Sequence, residues 1–453
     1  MPADPSAALT RRAAWQQGLL YIAILFFAVQ VLPLTPAFWR ALVALDGQYP
    51  SLFVLASYTP DWVGRPGSFG NMAVAAGLAL VGALIWMRWT AHRTAAGHPP
   101  PNHNRLQAWL RLALRYRLAV GLLAFGLIKL IPLQAPAPSL SALNTPYGEM
   151  TEWKLFVLTL GIVPSYQSFL GAIETLAGLL LLTRRSATIG AFITVFFSGN
   201  VFMSNLAYGG GDGAYALLLF LMALYLLCDD IPRLYRLLVL GRPTAPNRYR
   251  LRYGPGWPQT GRWVAKAALA AGLLLYAGTA FRAWQRGGHQ YPADTRPAVL
   301  GGAAGLYTVR TFQLNGQTRP PSATDSVRWD NVVVERWNTL SIRRPAPAPL
   351  DPANRETIAP TDAARTFEAA GQIGRHYYRY QPVMAASHTL QLQNSQRPAD
   401  TYRLTYTQPR PGTLVLAGRN ARHDSVYAVL ERVDKPYLLV EAARSGRRHQ
   451  LRL

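Results

Sequence analysis

The sequence has almost no cysteine, and it lacks the motifs of the common cofactor and nucleotide sites. Cys228 is the single cysteine in 453 residues, which excludes an intramolecular disulfide and a Cys-x-x-Cys redox pair. The eight histidines lie outside the apolar runs, so no His pair there can hold a haem. No Cys/His cluster has metal-ligand spacing, and neither a phosphate-binding glycine loop nor a Gly-x-Ser-x-Gly motif is present. The sequence therefore predicts no metal site and no intrinsic cofactor.

Acidic residues are also scarce. The chain has 46 Lys and Arg against 22 Asp and Glu, a net charge of +24, although 50% of its residues are hydrophobic. Basic loops between membrane helices account for such an excess. A basic protein can instead bind nucleic acid, but here apolar and basic residues are segregated along the chain. The pattern favours a lipid bilayer as the partner and predicts no nucleic-acid partner.

Long apolar runs are abundant. Crossing a bilayer takes about 20 apolar residues in a helix, and seven stretches approach this length. The third to the sixth form a dense block with short connections. The predicted membrane helices are 16–34, 69–87, 117–133, 166–183, 186–203, 213–229 and 264–282.

The loops predict the orientation of these helices. On one side the connections hold 18 Lys and Arg, and on the other they hold three, which are Arg40, Arg65 and Lys154. Basic loops stay in the cytoplasm, so we expect a cytoplasmic N-terminus. Seven crossings then place the C-terminal part outside. The chain is thus predicted to be a multi-pass protein of a cell inner membrane with a periplasmic C-terminal domain.

One apolar run is too short to cross. Residues 153–163, "WKLFVLTLGIV", end at Pro164 and as a helix would reach only ~16 Å. We expect this segment to lie at the outer interface or to enter the membrane as a re-entrant piece.

Residues 290–453 have a different character, with short segments that alternate polar and apolar residues. "VRWDNVVVERWNTLSIRR" predicts two strands around Glu335 and Arg336, and "TYRLTYTQPRPGTLVLAGR" predicts a hairpin that turns at Pro411 and Gly412. "HDSVYAVLERVDKPYLLVEA" predicts two further strands. About eight strands in all indicate a small antiparallel barrel or sandwich. The predicted fold class is an all-α polytopic membrane bundle followed by this β-rich domain.

Two charges stand inside the apolar runs, Lys129 in "FGLIKLIPL" and Glu174 in "LGAIETLAGLL". Ionised side chains are costly in hydrocarbon, so they mark a buried pair or a functional site. With the predicted orientation, the polar residues of the block fall in its outer half, where we expect an outward-facing pocket. Its candidate residues are Lys129, Glu174, Asn200, Asn205 and Asp212, and the candidate lid residues are Tyr147, Glu149, Glu152 and Trp153.

Two interpretations of Lys129 and Glu174 remain open. In the first they form a structural ion pair, because Gly171, Glu174 and Gly178 share one helix face and the glycines would let the neighbouring helix approach. In the second, Lys129 faces a quinone carbonyl or an anionic head group and Glu174 relays the proton.

The middle of the chain resembles the DoxX-like membrane proteins. The similarity rests on "YRLAVGLLAFGLIKLIPLQ", "FLGAIETLAGLLLLTRRSATIGA" and "NVFMSNLAYGGGDGAYALLLFLMALYLLCDDIPRL". That family has a four-helix core with a basic residue late in its first helix and a G-x-x-E-x-x-x-G pattern in its second, here Lys129 and Gly171, Glu174 and Gly178. The C-terminal part looks like the extracytoplasmic tail of longer members. The resemblance implies a four-helix core, and quinone as the candidate cofactor, because some members resemble a subunit of thiosulfate:quinone oxidoreductase.

The predicted organisation has four consecutive segments. They are two membrane helices with a cytoplasmic loop (1–115), the DoxX-like core (116–236), a cytoplasmic loop with the seventh helix (237–289) and the β-rich domain (290–453). The leading functional hypothesis is a redox-linked, quinone-associated membrane component that depends on a partner for its redox centre. The alternatives are a non-enzymatic assembly or scaffold protein whose outer domain binds a membrane or periplasmic protein, and a small-solute transporter, for which no inverted repeat is evident.

Overall fold

The computed structural model describes residues 13–64, 67–245, 257–286, 298–351, 358, 366–384 and 388–445. Residue contacts divide the chain into two compact units. The helical unit comprises Met1–Leu130, Leu170–Ala207 and Gly211–Thr279, and the barrel unit comprises Ile131–Phe169, Tyr208–Gly210 and Ala280–Leu453. Each unit is therefore built from several separate stretches of chain.

Helices make up the first two thirds of the described chain. The long ones begin and end close to the predicted apolar runs. The helices are α1 (Ala14–Val31), α2 (Pro36–Val43), α3 (Tyr49–Ala56), α4 (Phe69–Ala95), α5 (His103–Leu130), α6 (Leu140–Leu143), α7 (Glu152–Ile162), α8 (Pro164–Leu182), α9 (Ala187–Ala207), α10 (Gly213–Cys228), α11 (Ile231–Leu238), α12 (Trp257–Arg286) and, after the strands, α13 (Leu438–Ser445).

Five of the described helices are long and apolar enough to cross a membrane: α1, α4, α8, α9 and α12. A sixth span results if α10 and α11, which meet at a bend of 69°, are taken together. Helix α5 holds the third predicted span, but its last 18 residues include Arg115, Arg117 and Lys129. These charges lower its apolar character, so the predicted number of seven spans is not confirmed. The set of apolar helices is that of a multi-pass membrane protein.

The helical unit packs around α5 and α10. Leu114, Leu118 and Leu122 of α5 are fully buried and contact the same cluster as Leu218 and Met222 of α10. Leucines at spacings of four lie on one face of a helix, so the sequence of α5 presents a continuous stripe to its neighbours.

The barrel unit contains one antiparallel sheet that closes on itself. Its strands are β1 (Gly305–Leu314), β2 (Gln317–Thr318), β3 (Asn331–Val334), β4 (Thr339–Arg343), β5 (His376–Pro382), β6 (Thr389–Asn394), β7 (Thr401–Arg410), β8 (Thr413–Asn420) and β9 (Ser425–Val433). Strands β3 to β9 pair in chain order, and β1 pairs with both β3 and β9. Eight strands thus form a closed barrel, and the short β2 is added to β1.

The barrel resolves the choice between barrel and sandwich. Strands β3 and β4 flank Glu335 as predicted, and β7 turns into β8 at Pro411 and Gly412. Gly412 has φ of 81°, the value that the third position of a type II turn requires and that glycine adopts without strain. The last predicted strand is wrong, because residues 438–445 form helix α13. Short apolar runs do not distinguish strand from helix by pattern alone.

Side chains fill the interior of the barrel. Trp329 packs against Phe312 and Tyr402 with ring centroids 5.5 and 5.6 Å apart, and Tyr402 contacts Tyr378. These rings lie in a cluster of 20 buried residues contributed by strands around the barrel. An eight-stranded barrel is just wide enough for its own side chains to fill it, so this interior is a packed core.

Candidate functional site

Lys129 and Glu174 are in contact in the helical unit. The ammonium group of Lys129, in the last turn of α5, donates to Glu174 Oε2 on α8 over 2.6 Å. Glu174 is 3% exposed. The ammonium also lies 5.6 and 5.5 Å from the ring centroids of Phe125 and Phe197, a range in which the ring faces attract a cation. Each charge is therefore met by a partner of opposite sign or by an aromatic face.

Glycines allow α5 and α8 to approach closely enough for this contact. A methyl group on Gly171 would lie on the backbone nitrogen of Leu130 and on the carbonyl oxygen of Gly126. One on Gly126 would meet Thr175, and one on Gly178 would meet Leu123. Small residues at such positions let two helix backbones approach closely. This is the geometry required by the first interpretation, the structural ion pair, while a head-group site at the same residues stays a prediction.

The other candidate pocket residues lie near the turn between α9 and α10 or on α9 itself. Asn205 Nδ2 donates to the Val201 carbonyl, and its Oδ1 accepts from the backbone N–H of Asp212 over 3.2 Å. Asn205 thus stabilises the turn that leads into α10. The side chain of Asn200 is exposed on α9.

The four candidate lid residues lie in the barrel unit, in a stretch we call the inserted segment (Ile131–Phe169). Tyr147 is 76% exposed and Glu152 is exposed in the first turn of α7. Glu149 instead forms a two-pronged ion pair with Arg343 of β4, at 2.7 and 3.2 Å. Trp153 is buried against Phe367. Two of the four therefore hold the inserted segment against the barrel.

The strongest attachment of the inserted segment is at Glu335, between β3 and β4. Its carboxylate accepts from the backbone N–H and the hydroxyl of Ser141, at 2.7 and 2.6 Å, and from the N–H of Leu140 at 3.3 Å. Glu335 is 1% exposed. Burial raises the pKa of Glu335 to about 7, and the donors of Ser141 oppose this rise.

A buried cation completes this polar cluster. The Ser141 hydroxyl lies 2.7 Å from that of Ser341, which accepts from Arg375 Nε at 2.7 Å. Arg375 also donates to Asn331 Oδ1 at 2.7 Å and to the Asn144 carbonyl at 3.4 Å. Desolvation lowers the pKa of Arg375 to about 10, so the guanidinium keeps its charge at neutral pH. Two serine hydroxyls thus link a buried carboxylate to a buried guanidinium.

Helix α7 supplies a second attachment. Lys154 is 2% exposed, and its ammonium donates to the Phe367 carbonyl and lies over the Phe367 ring. The backbone N–H of Thr151 donates to the Gly371 carbonyl at 2.9 Å. The 11-residue helix predicted for the short apolar run is present, with its N-terminal turn bound to the stretch around residue 370. We call the contacts of Ser141, Glu149 and Lys154 with the barrel the clasp.

Sequence reasoning missed the clasp. Glu335 lies between the two strands that the sequence predicts, and Arg375 comes before His376 and two tyrosines. Neither pattern indicates a buried charge at these two residues. Their partners in the inserted segment are separated from them by 194 and 231 residues. No local pattern can predict such pairs.

Among the described residues, no group of three or more His, Cys, Asp or Glu side chains is placed to hold a metal ion. No family model, curated protein or solved structure matches the chain. The residues and contacts above are therefore the basis for assigning a function.

Proposed function

We propose that this chain is a membrane-anchored scaffold whose barrel binds a protein partner on its outer surface. The clasp carries this proposal. The inserted segment continues in the chain from α5 and into α8, so these buried polar contacts join the barrel to a second stretch of chain besides the one that precedes it. A domain that only followed the last helix would need no such attachment.

The packed interior of the barrel directs binding to its outside. On that surface, Arg403 of β7 and Arg419 of β8 are directly opposite each other, and both are exposed. Like charges in this arrangement repel and destabilise a sheet. An acidic surface on the partner would remove the repulsion, so we propose that these arginines are part of the binding face.

We further propose an inner-membrane location with the barrel on the extracytoplasmic side, as the distribution of basic loops predicts. Replacing Cys228, the single cysteine, by serine gives a background for labelling. A cysteine at Arg422, an exposed turn residue, should then react with an impermeant thiol reagent added to intact spheroplasts. Labelling only after lysis would overturn the proposed orientation.

Site-specific photocrosslinking tests the scaffold. A photoreactive residue at Gln391, which is exposed beside Arg403 in the sheet, should give one discrete covalent adduct in cells. Arg403→Glu with Arg419→Glu should abolish it. The matched control, Arg410→Glu with Arg432→Glu, changes the same charge on β7 and on β9, beside the β7–β8 turn, and should leave the adduct intact. Loss in both variants, or in neither, would contradict the proposal.

A quinone-associated redox component is the second candidate function, because Glu174, buried beside Lys129, is a group that can relay a proton. Wild-type protein in native-lipid particles should then retain quinone at near-stoichiometric level, as measured by mass spectrometry of an extract. Folded Glu174→Gln protein should lose it. If both samples contain only bulk lipid, the Lys129–Glu174 pair has a structural role and the quinone function is contradicted.

A further inference from the structure

A cavity of about 690 Å³ lies in the helical unit between α5 and α12. Tyr276 of α12 donates to the Ala124 carbonyl of α5 at 2.8 Å. Earlier residues of both helices, among them Leu112 and Lys266, line the cavity. Residues that precede Ala124 in α5 thus lie near residues that precede Tyr276 in α12, so the two helices run in the same direction. The end of α1 and the α2–α3 region form the remaining wall.

The walls combine apolar surface with positive charge. Val31, Phe38, Leu55 and Val120 are among the apolar lining residues, and Arg117, Arg262 and Lys266 also line the cavity. None of the described lining residues is Asp or Glu. A volume of this size accommodates a small organic ligand or part of a larger one.

Arg117 places a positive charge in the wall of this cavity. Its Nη1 donates to the Ala56 carbonyl at 3.0 Å and its Nη2 to the Tyr58 carbonyl at 2.6 Å. Ala56 is the last residue of α3 and Tyr58 lies just beyond it, where carbonyl groups have no partner within the helix. The centroid of the Tyr215 ring also lies 5.9 Å from the Arg117 Cζ, so neutral groups orient the guanidinium, and none of these partners carries a negative charge.

Arg262 and Lys266 stand one turn apart on α12. Both lie over the Trp263 ring, at 5.5 and 5.2 Å from its centroid, and Trp263 is 58% exposed. Like charges four residues apart on a helix repel, and tryptophan is enriched where a helix meets the lipid head groups. An anion held by both side chains would relieve this repulsion.

We infer that this cavity binds one anionic phospholipid of the bilayer. The phosphate lies among Arg262, Lys266 and Arg117, and an acyl chain contacts the apolar walls. Charge complementarity selects an anionic over a zwitterionic lipid, since basic pockets between membrane helices bind anionic head groups in this way. The apolar walls select a lipid over a free anion.

Lipid retention tests this inference on the full chain. The protein is placed in nanodiscs with equal phosphatidylglycerol and phosphatidylcholine, released into mild detergent, and its bound lipid is counted by native mass spectrometry. Wild type should retain one phosphatidylglycerol. Arg262→Gln with Lys266→Gln should reduce retention at least tenfold. Equal retention of the two lipids by wild type would overturn the inference.

Two further variants separate the cavity from general surface charge. Arg88→Gln with Arg93→Gln removes the same charge from α4, where Arg93 lies over Trp89 at 5.1 Å, and should leave retention unchanged. Ala113→Leu with Ala265→Leu keeps the charges but fills the cavity, and should abolish retention with unchanged helix content. The opposite result for either pair, or displacement of the lipid by excess inorganic phosphate, would overturn the inference.

Discussion

At the scale of single residues, Lys129 and Glu174 form a buried ion pair. Removing one partner of a buried ion pair costs about 3–5 kcal/mol, whereas replacing both by apolar residues is often neutral. Lys129→Leu and Glu174→Leu should therefore each lower the free energy of unfolding, and the double variant should recover most of the loss. Thermal unfolding in bicelles measures this double-mutant cycle. A double variant as unstable as the worse single variant would contradict a structural pair.

Glu335 should make the stability of the barrel depend on pH. Its pKa is raised to about 7 from an ordinary 4.5, so the folded protein keeps a proton that the unfolded chain releases. The free energy of unfolding should thus fall as pH rises through this window, by ~3 kcal/mol at ~1.4 kcal/mol per unit. Hydrogen exchange of β3 and β4, corrected for intrinsic rates, measures this fall. Glu335→Gln should remove most of this pH dependence. If the variant shows the same pH dependence as wild type, another titrating group causes it.

At the scale of elements, the contact between α5 and α8 requires glycine. Gly171→Ala would place a methyl group on rigid backbone of α5, and such overpacking costs ~1–3 kcal/mol. Its unfolding temperature should fall. Gly77→Ala is the matched control, because Gly77 lies in α4 with open space beside it, and alanine favours a helix by about 1 kcal/mol. Equal effects of the two substitutions would contradict the close approach.

The elements also show how far the sequence could predict this structure. Helices α1, α4 and α9 follow from runs of apolar residues, and the β7–β8 hairpin follows from Pro411 and Gly412, because both signals are local. The contact of Lys129 with Glu174 could be proposed from composition but not established. Glu335 and Arg375 could not be identified, since the groups that satisfy a buried charge are distant in sequence and only folding brings them together.

At the scale of the whole molecule, the clasp should hold the barrel even without its covalent linker. If a flexible protease site is inserted between residues 286 and 298 and cut after folding, the barrel should sediment with the membranes. Ser141→Ala, Glu149→Ala and Lys154→Ala together remove the side-chain contacts that the inserted segment gives to the clasp and should release the barrel. Release from the cleaved parent protein would show that the linker alone holds the barrel.

The clasp also sets the order of events while the chain is being made. Ser141 precedes Glu335 by 194 residues, and at ~5–20 residues per second the ribosome needs ~10–40 s to synthesise that interval. During this time Ser141, Glu149 and Lys154 have been synthesised, but the strands that bury them have not. Membrane insertion of α8 to α12 must therefore proceed with the inserted segment still unsatisfied. A nascent chain that stops before β3 would lack the partners of these polar groups and would keep them exposed, so that chaperones and proteases can recognise the chain as incomplete.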